Sequence, residues 1–287
     1  MDPDPVLEVS PGAAEVPLTV LKIRDEAAIE AADQLAVEEP LEIRLAGIAF
    51  AVTMRTPGDD EDLVAGLLYA EGIIREAESL DVIARYRGPE GGTDPGNVIN
   101  VILKGDLRIA RERLRRSLVA TSACGVCGKV TIGAIRNACG PMRSDALVPA
   151  GLFHRLATSL AAAQATFQRT GGLHAAGLFD LDGRLLVLRE DVGRHNAVDK
   201  VVGHMLRGRR VPLERHILMV SGRVSFEIMQ KAWNARIPIV AAVSAPSSMA
   251  VQMALAAGIT LVGFLRRGGF NVYAGAHRVA TVVPEPA

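Results

Sequence analysis

The chain has 287 residues, about half of them hydrophobic, with 32 basic and 32 acidic side chains. That length allows two domains with a core each. Zero formal net charge argues against a general nucleic-acid binder, which carries a marked basic excess, and three cysteines are too few for a disulfide scaffold.

The first 16 residues read as an unstructured lead-in. Their start, MDPDPVLEVSPG, is acidic and proline-rich and lacks the basic start and apolar run of a signal peptide. A cytoplasmic, reducing location is expected, where a Cys-x-x-Cys is more often metal-binding or catalytic than structural. PLTVLKI and LEIRLAGIAFAVTMRTP read as strands, the latter as a hairpin turning at Ala46-Gly47. Asp59 or Asp60 is expected to cap a helix over EDLVAGLLYAEGII, and the strand-like DVIARYR and NVINVIL flank the loop GPEGGTDPG. Together these make a small α+β domain over residues 1–120. Within it, Arg108–Arg116 holds five arginines in nine residues, which reads as a solvated helix face or as a docking surface for an acidic partner.

Residues 121–149 are expected to form a mobile loop and linker around TSACGVCGK. A second domain spans 150–287. LVPAGLFHRLATSLAAAQATFQRTGG reads as one helix of about five turns stopped by Gly171-Gly172. LHAAGLF and RLLVLRE form a hairpin about Asp180–Gly183, and DVGRHNAVDKVVGHML starts a helix with Asp191 near its cap. HILMVSG is a strand and RVSFEIMQKAWNARI a helix. From Ile237 to Leu265 no residue is charged, a length that matches a membrane span. Pro238, Pro246 and the SAPSS cluster instead divide it into strand, helix and strand, with a serine cap and Gly258 bounding the helix. A β-α-β unit buried on both faces is expected, with no membrane partner.

Strands at 216–221, 238–243 and 260–265, joined by single helices, should be parallel with right-handed crossovers. Their carboxyl ends then share one edge, where open α/β sheets bind ligands. That edge gathers SGR with Arg223, SAPSS with Ser244, and RRGGF with Arg266 and Arg267. If strand 185–189 runs the same way, Arg194 and His195 join it. Helix starts there favour anions, so an extended phosphate or pyrophosphate ligand is expected. Neither a P-loop nor a dinucleotide glycine fingerprint occurs.

The two thiols Cys124 and Cys127 admit three roles. With Cys139 and His154 or His174 they make a Cys3His zinc set, although no second Cys-x-x-Cys accompanies them. A dithiol redox pair needs a helix start on a strand, which CGKVTIGAIRNAC supplies poorly. A mobile thiolate between glycines, near Lys129 and the arginine run, can accept and pass on a sulfur atom. Composition leaves the redox and sulfur-carrying roles open, because both begin with the same exchange step.

SACGVCGK, TGGLHAAGLF, EDVGRHNAVDKVVG, SGRVSFEIMQKA, VSAPSSMAV and GFLRRGGFNVY, in that order, resemble the formate dehydrogenase accessory sulfurtransferase family, FdhD. The resemblance implies a persulfide on Cys124 with Cys127 as its partner, sulfur supplied by a cysteine desulfurase, and a molybdenum or tungsten bis(molybdopterin guanine dinucleotide) cofactor as acceptor. That cofactor is a bound substrate, destined for formate dehydrogenase, and no permanent cofactor is implied. The family's cofactor-binding segment falls on Phe264, Leu265, Arg266, Arg267, Gly268 and Gly269. The fold it implies is α/β, with a small α+β N-terminal domain and a C-terminal three-layer domain similar to the cytidine deaminase fold; a homodimer is also implied. Ala176 stands where a zinc deaminase has its proton-transferring glutamate, which counts against deamination.

Overall fold

The structure, a computed structural model, describes residues 7, 9–86, 97–104, 140–266 and 268–281. Cys124, Cys127, Cys139, Arg267 and the run Arg108–Arg116 lie outside the described residues.

Strands β1 (Glu15–Arg24) and β2 (Ala27–Ala36) pair as an antiparallel ribbon. β3 (Glu39–Leu45) and β4 (Ile48–Arg55) form the expected hairpin, with Ala46 at φ 49° and Gly47 at φ 82°. Two left-handed residues in a two-residue turn match the twist of the strands they join. α1 (Asp60–Ala70), β5 (Leu80–Arg85) and β6 (Val98–Leu103) follow, giving a four-stranded sheet of order β4-β3-β6-β5. Leu41, Ile43, Ile99 and Val101 turn inward onto Leu63, Val64 and Leu68 of α1.

Two expectations for α1 need correction. The helix stops at Ala70 instead of running to Ile74, and Gly72, at φ 69°, turns the chain away. Asp59 occupies the cap position, but its side chain makes no capping bond. Its carboxylate faces Arg189 at 3.3 Å. Asp60 is buried between Arg55 at 3.0 Å and Arg85 at 2.7 Å. Ion pairing has taken the acids that the sequence offered as caps.

A short parallel bridge, β7 (Val148–Pro149) with β14 (Val279–Ala280), ties the end of the chain to the start of the second unit. Between them lies a six-stranded sheet of order β13-β12-β11-β10-β8-β9. Its strands are β8 (His174–Asp180), β9 (Leu185–Asp191), β10 (His216–Val220), β11 (Ile239–Ala242), β12 (Thr260–Arg266) and β13 (Gly269–Ala274). β10, β11 and β12 are parallel neighbours, as expected. β8 is antiparallel to both β10 and β9, so β9 runs in the direction of β10.

Helix α2 (Ala150–Ala163) covers one face of this sheet. α4 (Arg194–Arg207), α5 (Phe226–Asn234) and α6 (Ser248–Ala257) cover the other. Side chains alternate between the layers. Ile217, Met219, Ile239 and Ala241 face α2, while Leu218, Val220, Val240 and Ala242 face α4–α6. Burial on both faces makes these strands continuous apolar runs in the sequence. The uncharged stretch from Ile237 is therefore β11, α6 and β12, with Ser247 Oγ accepting from Ala250 N at 3.2 Å and Gly258 closing the helix at φ 71°. Among the described residues no helix is long and apolar enough to cross a membrane.

The expected five-turn helix over 147–170 is two helices. It breaks at Gln164, where ψ is 68°, and resumes as α3 (Ala165–Thr170), which Gly171 ends in the left-handed region. The cause comes from far along the chain. Glu190 of β9 accepts from Thr166 N at 3.0 Å and Phe167 N at 2.8 Å, satisfying the free donors of a new helix start.

The two units share their apolar interior. α1 lies between the four-stranded sheet and α4, and Leu206 of α4 belongs to the same cluster as Leu63 and Leu68. Glycines set how closely the two helices approach. A Cβ on Gly66 would lie 1.9 Å from the carbonyl oxygen of Asp199, and one on Gly203 would lie 1.8 Å from that of Asp62.

Candidate functional site

The carboxyl ends of β9, β10, β11 and β12 lie on one edge of the six-stranded sheet, and α4, α5 and α6 begin there. Loop hydrogen bonds join these ends into a rim. Phe264 N donates to Ser244 O at 3.2 Å, Val224 N to Ala245 O at 3.2 Å, and Ser247 N to Val224 O at 2.9 Å. Ser221 N donates to Ala175 O at 3.0 Å, and Ala175 N returns a bond to Ser221 Oγ at 2.9 Å. His174, next to Ala175, pairs across the ladder with Asp191. From β9 to β12 the rim covers four strand spacings, about 19 Å, long enough for a dinucleotide-sized ligand.

Asp191 organises one end of it from a fully buried position. Its Oδ2 lies 2.7 Å from Lys200 Nζ and accepts from Thr56 N at 3.2 Å. Its Oδ1 accepts from Gly193 N at 2.8 Å and from Asn196 Nδ2 at 2.9 Å. Asn196 Nδ2 also reaches Met54 O at 2.7 Å, and Lys200 Nζ reaches Thr56 O at 2.9 Å. A Cβ on Gly193 would sit 2.8 Å from the Asn196 amide nitrogen, so the close turn needs glycine. EDVGRHNAVDK thus locks the rim to the segment after β4, and Asp191, near the helix cap as expected, is also the hub of these bonds.

Cationic groups stand on this frame. Arg194 and His195 open α4, and Arg223 follows β10. Arg223 has no ion pair among the described residues, and the buried Nε of Arg194 has no hydrogen-bond partner. His174 is half-buried, and burial first, then the charges of Arg194 and Arg223, lower its pKa. The two guanidiniums therefore act on one place. His195 lies 3.0 Å from Ser225 Oγ and 3.7 Å from Glu227 Oε2 through Nε2. Burial, with help from Arg194, pushes its pKa down to about 4 against the opposing pull of Glu227. Both histidines are neutral at pH 7, so Arg194 and Arg223 supply the fixed charge, and the three helix starts add partial positive charge.

The segment Phe264–Gly269 divides between two faces. Phe264 is in the left-handed region at φ 53° and is 38% exposed. Its backbone belongs to the rim, whereas the Leu265 side chain is buried in the core on the α2 side. Arg266 and Gly268 line an open cleft of about 730 Å³ with His154, Ala157, Thr158, Ala161 and Ala162. Arg194, His195, Arg223 and Ser244 thus stand on the rim, and Arg266 turns toward α2. Gly269 pairs with Arg266 across the β12–β13 turn.

Several residues at this edge carry no signal in the sequence. Ser225 and Glu227 read as an ordinary helix start, and Thr56 as the end of a hairpin strand. His174 stands out in the sequence as a candidate zinc ligand and for its place before Ala176, not as a rim residue. Ala176 itself is fully buried in the core on the α4–α6 face. His154 and His174 lie on different elements, α2 and β8. Among the described residues no three His, Cys, Asp or Glu side chains group as metal ligands.

Fold and rim together describe an α/β protein with a four-stranded and a six-stranded sheet beside two short strand pairs, and the strand ends of the larger sheet present a cationic, ligand-sized edge. The chain belongs to the FdhD/NarQ family, whose model matches residues 36–280. It is 50% identical over 265 residues to the sulfur carrier protein FdhD of Streptomyces coelicolor (strain ATCC BAA-471 / A3(2) / M145), covering 91% of this chain and 94% of that protein. It is 46% identical over 284 residues to the sulfur carrier protein FdhD of Anaeromyxobacter dehalogenans (strain 2CP-C), covering 96% and 97%. Its fold is similar to the crystal structure of a candidate formate dehydrogenase accessory protein from Desulfotalea psychrophila, with TM-score 0.74, 26% identity, and coverage of 93% of this chain and all of the other.

Proposed function

We propose that this protein is a sulfur carrier for the maturation of formate dehydrogenase. The observation that carries the reading is its near-complete alignment, at 50% identity, with a relative named as a sulfur carrier. The CGVC pair in this chain supplies the chemistry such a role needs.

In this reading the Cys124 thiolate attacks the terminal sulfur of a persulfide on a cysteine desulfurase. A new sulfur–sulfur bond forms on Cys124, the donor's bond breaks, and the donor leaves as thiolate. Cys127 receives or resolves the sulfur. The acceptor is the bis(molybdopterin guanine dinucleotide) substrate, held through its phosphates at the rim by Arg194, Arg223 and the helix starts, with Ser244 and His195 beside them. Arg266, Arg267 and the glycines after them hold a further part of it. The protein acts in the cytoplasm, as a homodimer, with a second domain akin to cytidine deaminases. The geometry of the rim supports the anion-binding half of this reading: charge, helix starts and an open 19 Å edge coincide.

Formate dehydrogenase made in a host without its own carrier tests the role. Supplying this protein should restore formate oxidation, and Cys124→Ala should reduce the restored activity by more than about 100-fold, as loss of a covalent nucleophile does. Full restoration by the double Cys124→Ala/Cys127→Ala variant would instead make the protein a cofactor chaperone that transfers no sulfur.

A further inference from the structure

Ser225 holds the N-cap position of α5 but makes no capping bond to that helix. Its oxygen lies 3.0 Å from His195 Nε2, and Glu227 Oε2 lies 3.7 Å from the same nitrogen. Two oxygens facing Nε2, one of them a carboxylate that only accepts, favour the tautomer with hydrogen on Nε2, which leaves the imidazole lone pair on Nδ1. Among the described residues Nδ1 has no hydrogen-bond partner.

The charges facing His195 are few. Arg194 lies on its own helix, Glu227 and Lys231 on α5, and His174 on β8. Lys231 is paired with Asp199 at 2.7 Å, both of them buried, and burial with the Arg194 and Arg223 charges lowers the pKa of His174. Arg194 and Glu227 therefore act on the ring in opposite senses. Arg194 has no ion pair among the described residues, so an oxyanion drawn to its guanidinium would cancel the charge that opposes protonation of His195.

Resting on the reading of the rim as an anion site, we propose that His195 is the proton acceptor of that site. A phosphate or pyrophosphate seating against Arg194 brings one proton from water onto His195 Nδ1, and Ser225 and Glu227 stabilise the resulting imidazolium from the Nε2 side. In the free protein burial and Arg194 keep the ring neutral, with a pKa of about 4. One anionic charge about 5 Å away raises that by about two units. The bound state then holds more protons than the free state. Affinity is highest at low pH and falls as pH rises from about 4 through the pKa of the complex.

The ¹⁵N-histidine NMR spectrum of the whole protein at pH 5.5, with and without inorganic pyrophosphate, tests this directly. His195→Gln identifies the resonance among the six histidines, and its uncharged amide preserves a donor toward Ser225. The expected free protein shows His195 neutral with hydrogen on Nε2, and saturation with pyrophosphate converts it to imidazolium. Wild-type affinity should fall between pH 5 and 7 by about tenfold more than that of His195→Gln. A ring that stays neutral in the saturated complex, or a variant with the wild-type pH profile, overturns the inference while leaving the rim intact as a binding site. Absence of pyrophosphate binding by the wild type at every pH overturns the rim reading itself and the inference with it.

Discussion

Gly203→Ala is expected to destabilise the protein by more than about 4 kcal/mol, a loss in the exceptional range for one methyl group. The added Cβ would sit 1.8 Å from Asp62 O and 2.7 Å from Gly66 N. Both are backbone atoms of a packed helix, so no rotamer change relieves the clash. α1 and α4 must separate, opening two apolar clusters together. The same movement pulls Asp62 from Arg189, at 2.9 Å, and from Arg207, at 2.6 Å. Gly66→Ala, with 1.9 Å to Asp199 O, should behave alike. Gly151→Ala is the control, because a Cβ there meets nothing within 4 Å. It lies in the first turn of α2, outside the helix interior, so Gly151→Ala should leave stability nearly unchanged. Urea unfolding followed by circular dichroism measures all three, and equal midpoints for Gly203→Ala and Gly151→Ala would contradict the close crossing.

Lys200→Met carries the second large effect. It leaves the Asp191 carboxylate fully buried beside a methyl group, and an unpaired buried charge costs about 3–5 kcal/mol. Lys200 also donates to Thr56 O at 2.9 Å, so the segment after β4 loses its tie to the rim. Asp191→Asn combined with Lys200→Met removes both charges and should recover a large part of the loss. Additive losses in the double variant, measured by the same unfolding experiment, would show that the two side chains are not coupled.

Much of this architecture is legible in the sequence because apolar pattern and punctuation agree. In the second sheet, short β-branched runs broken by SGR, SAPSS and RRGG specify parallel strands, and their loop residues follow onto one edge. Ser247 and Gly258 mark the ends of α6 as their residue types suggest. What is not legible depends on distant partners. AAIEAADQLA has a helix former's composition, yet becomes β2 along the length of β1. Gln164 sits in an alanine-rich run with nothing local to stop a helix, and the break is made by Glu190 from the next hairpin. β13 begins on the second glycine of a pair that reads as loop, and its ladder with β12 makes it a strand.

The site divides in the same way. Arg194 and Arg223 are found by their position after strands, since topology alone sends those loops to one edge. Arg266 follows the same rule, but the irregular β12–β13 pairing between Gly263 and Arg266 turns it toward α2. The roles of Ser225 and Glu227 appear only when α5 is set beside His195. No period or motif in the sequence brings these two helix starts together. Asp191 is visible as an acid near a helix start, but its partner Thr56 lies 135 residues earlier.

In the proposed function Cys124 carries the sulfur. Intact mass spectrometry of the purified protein after incubation with a cysteine desulfurase and cysteine, with Cys124→Ala and Cys127→Ala alongside and zinc counted in the same samples, tests that most directly. The predicted result is one added sulfur atom on the wild type, released by reductant and absent from Cys124→Ala. No added sulfur, together with one tightly held zinc ion lost in either variant, would make CGVC a metal clasp and contradict the account.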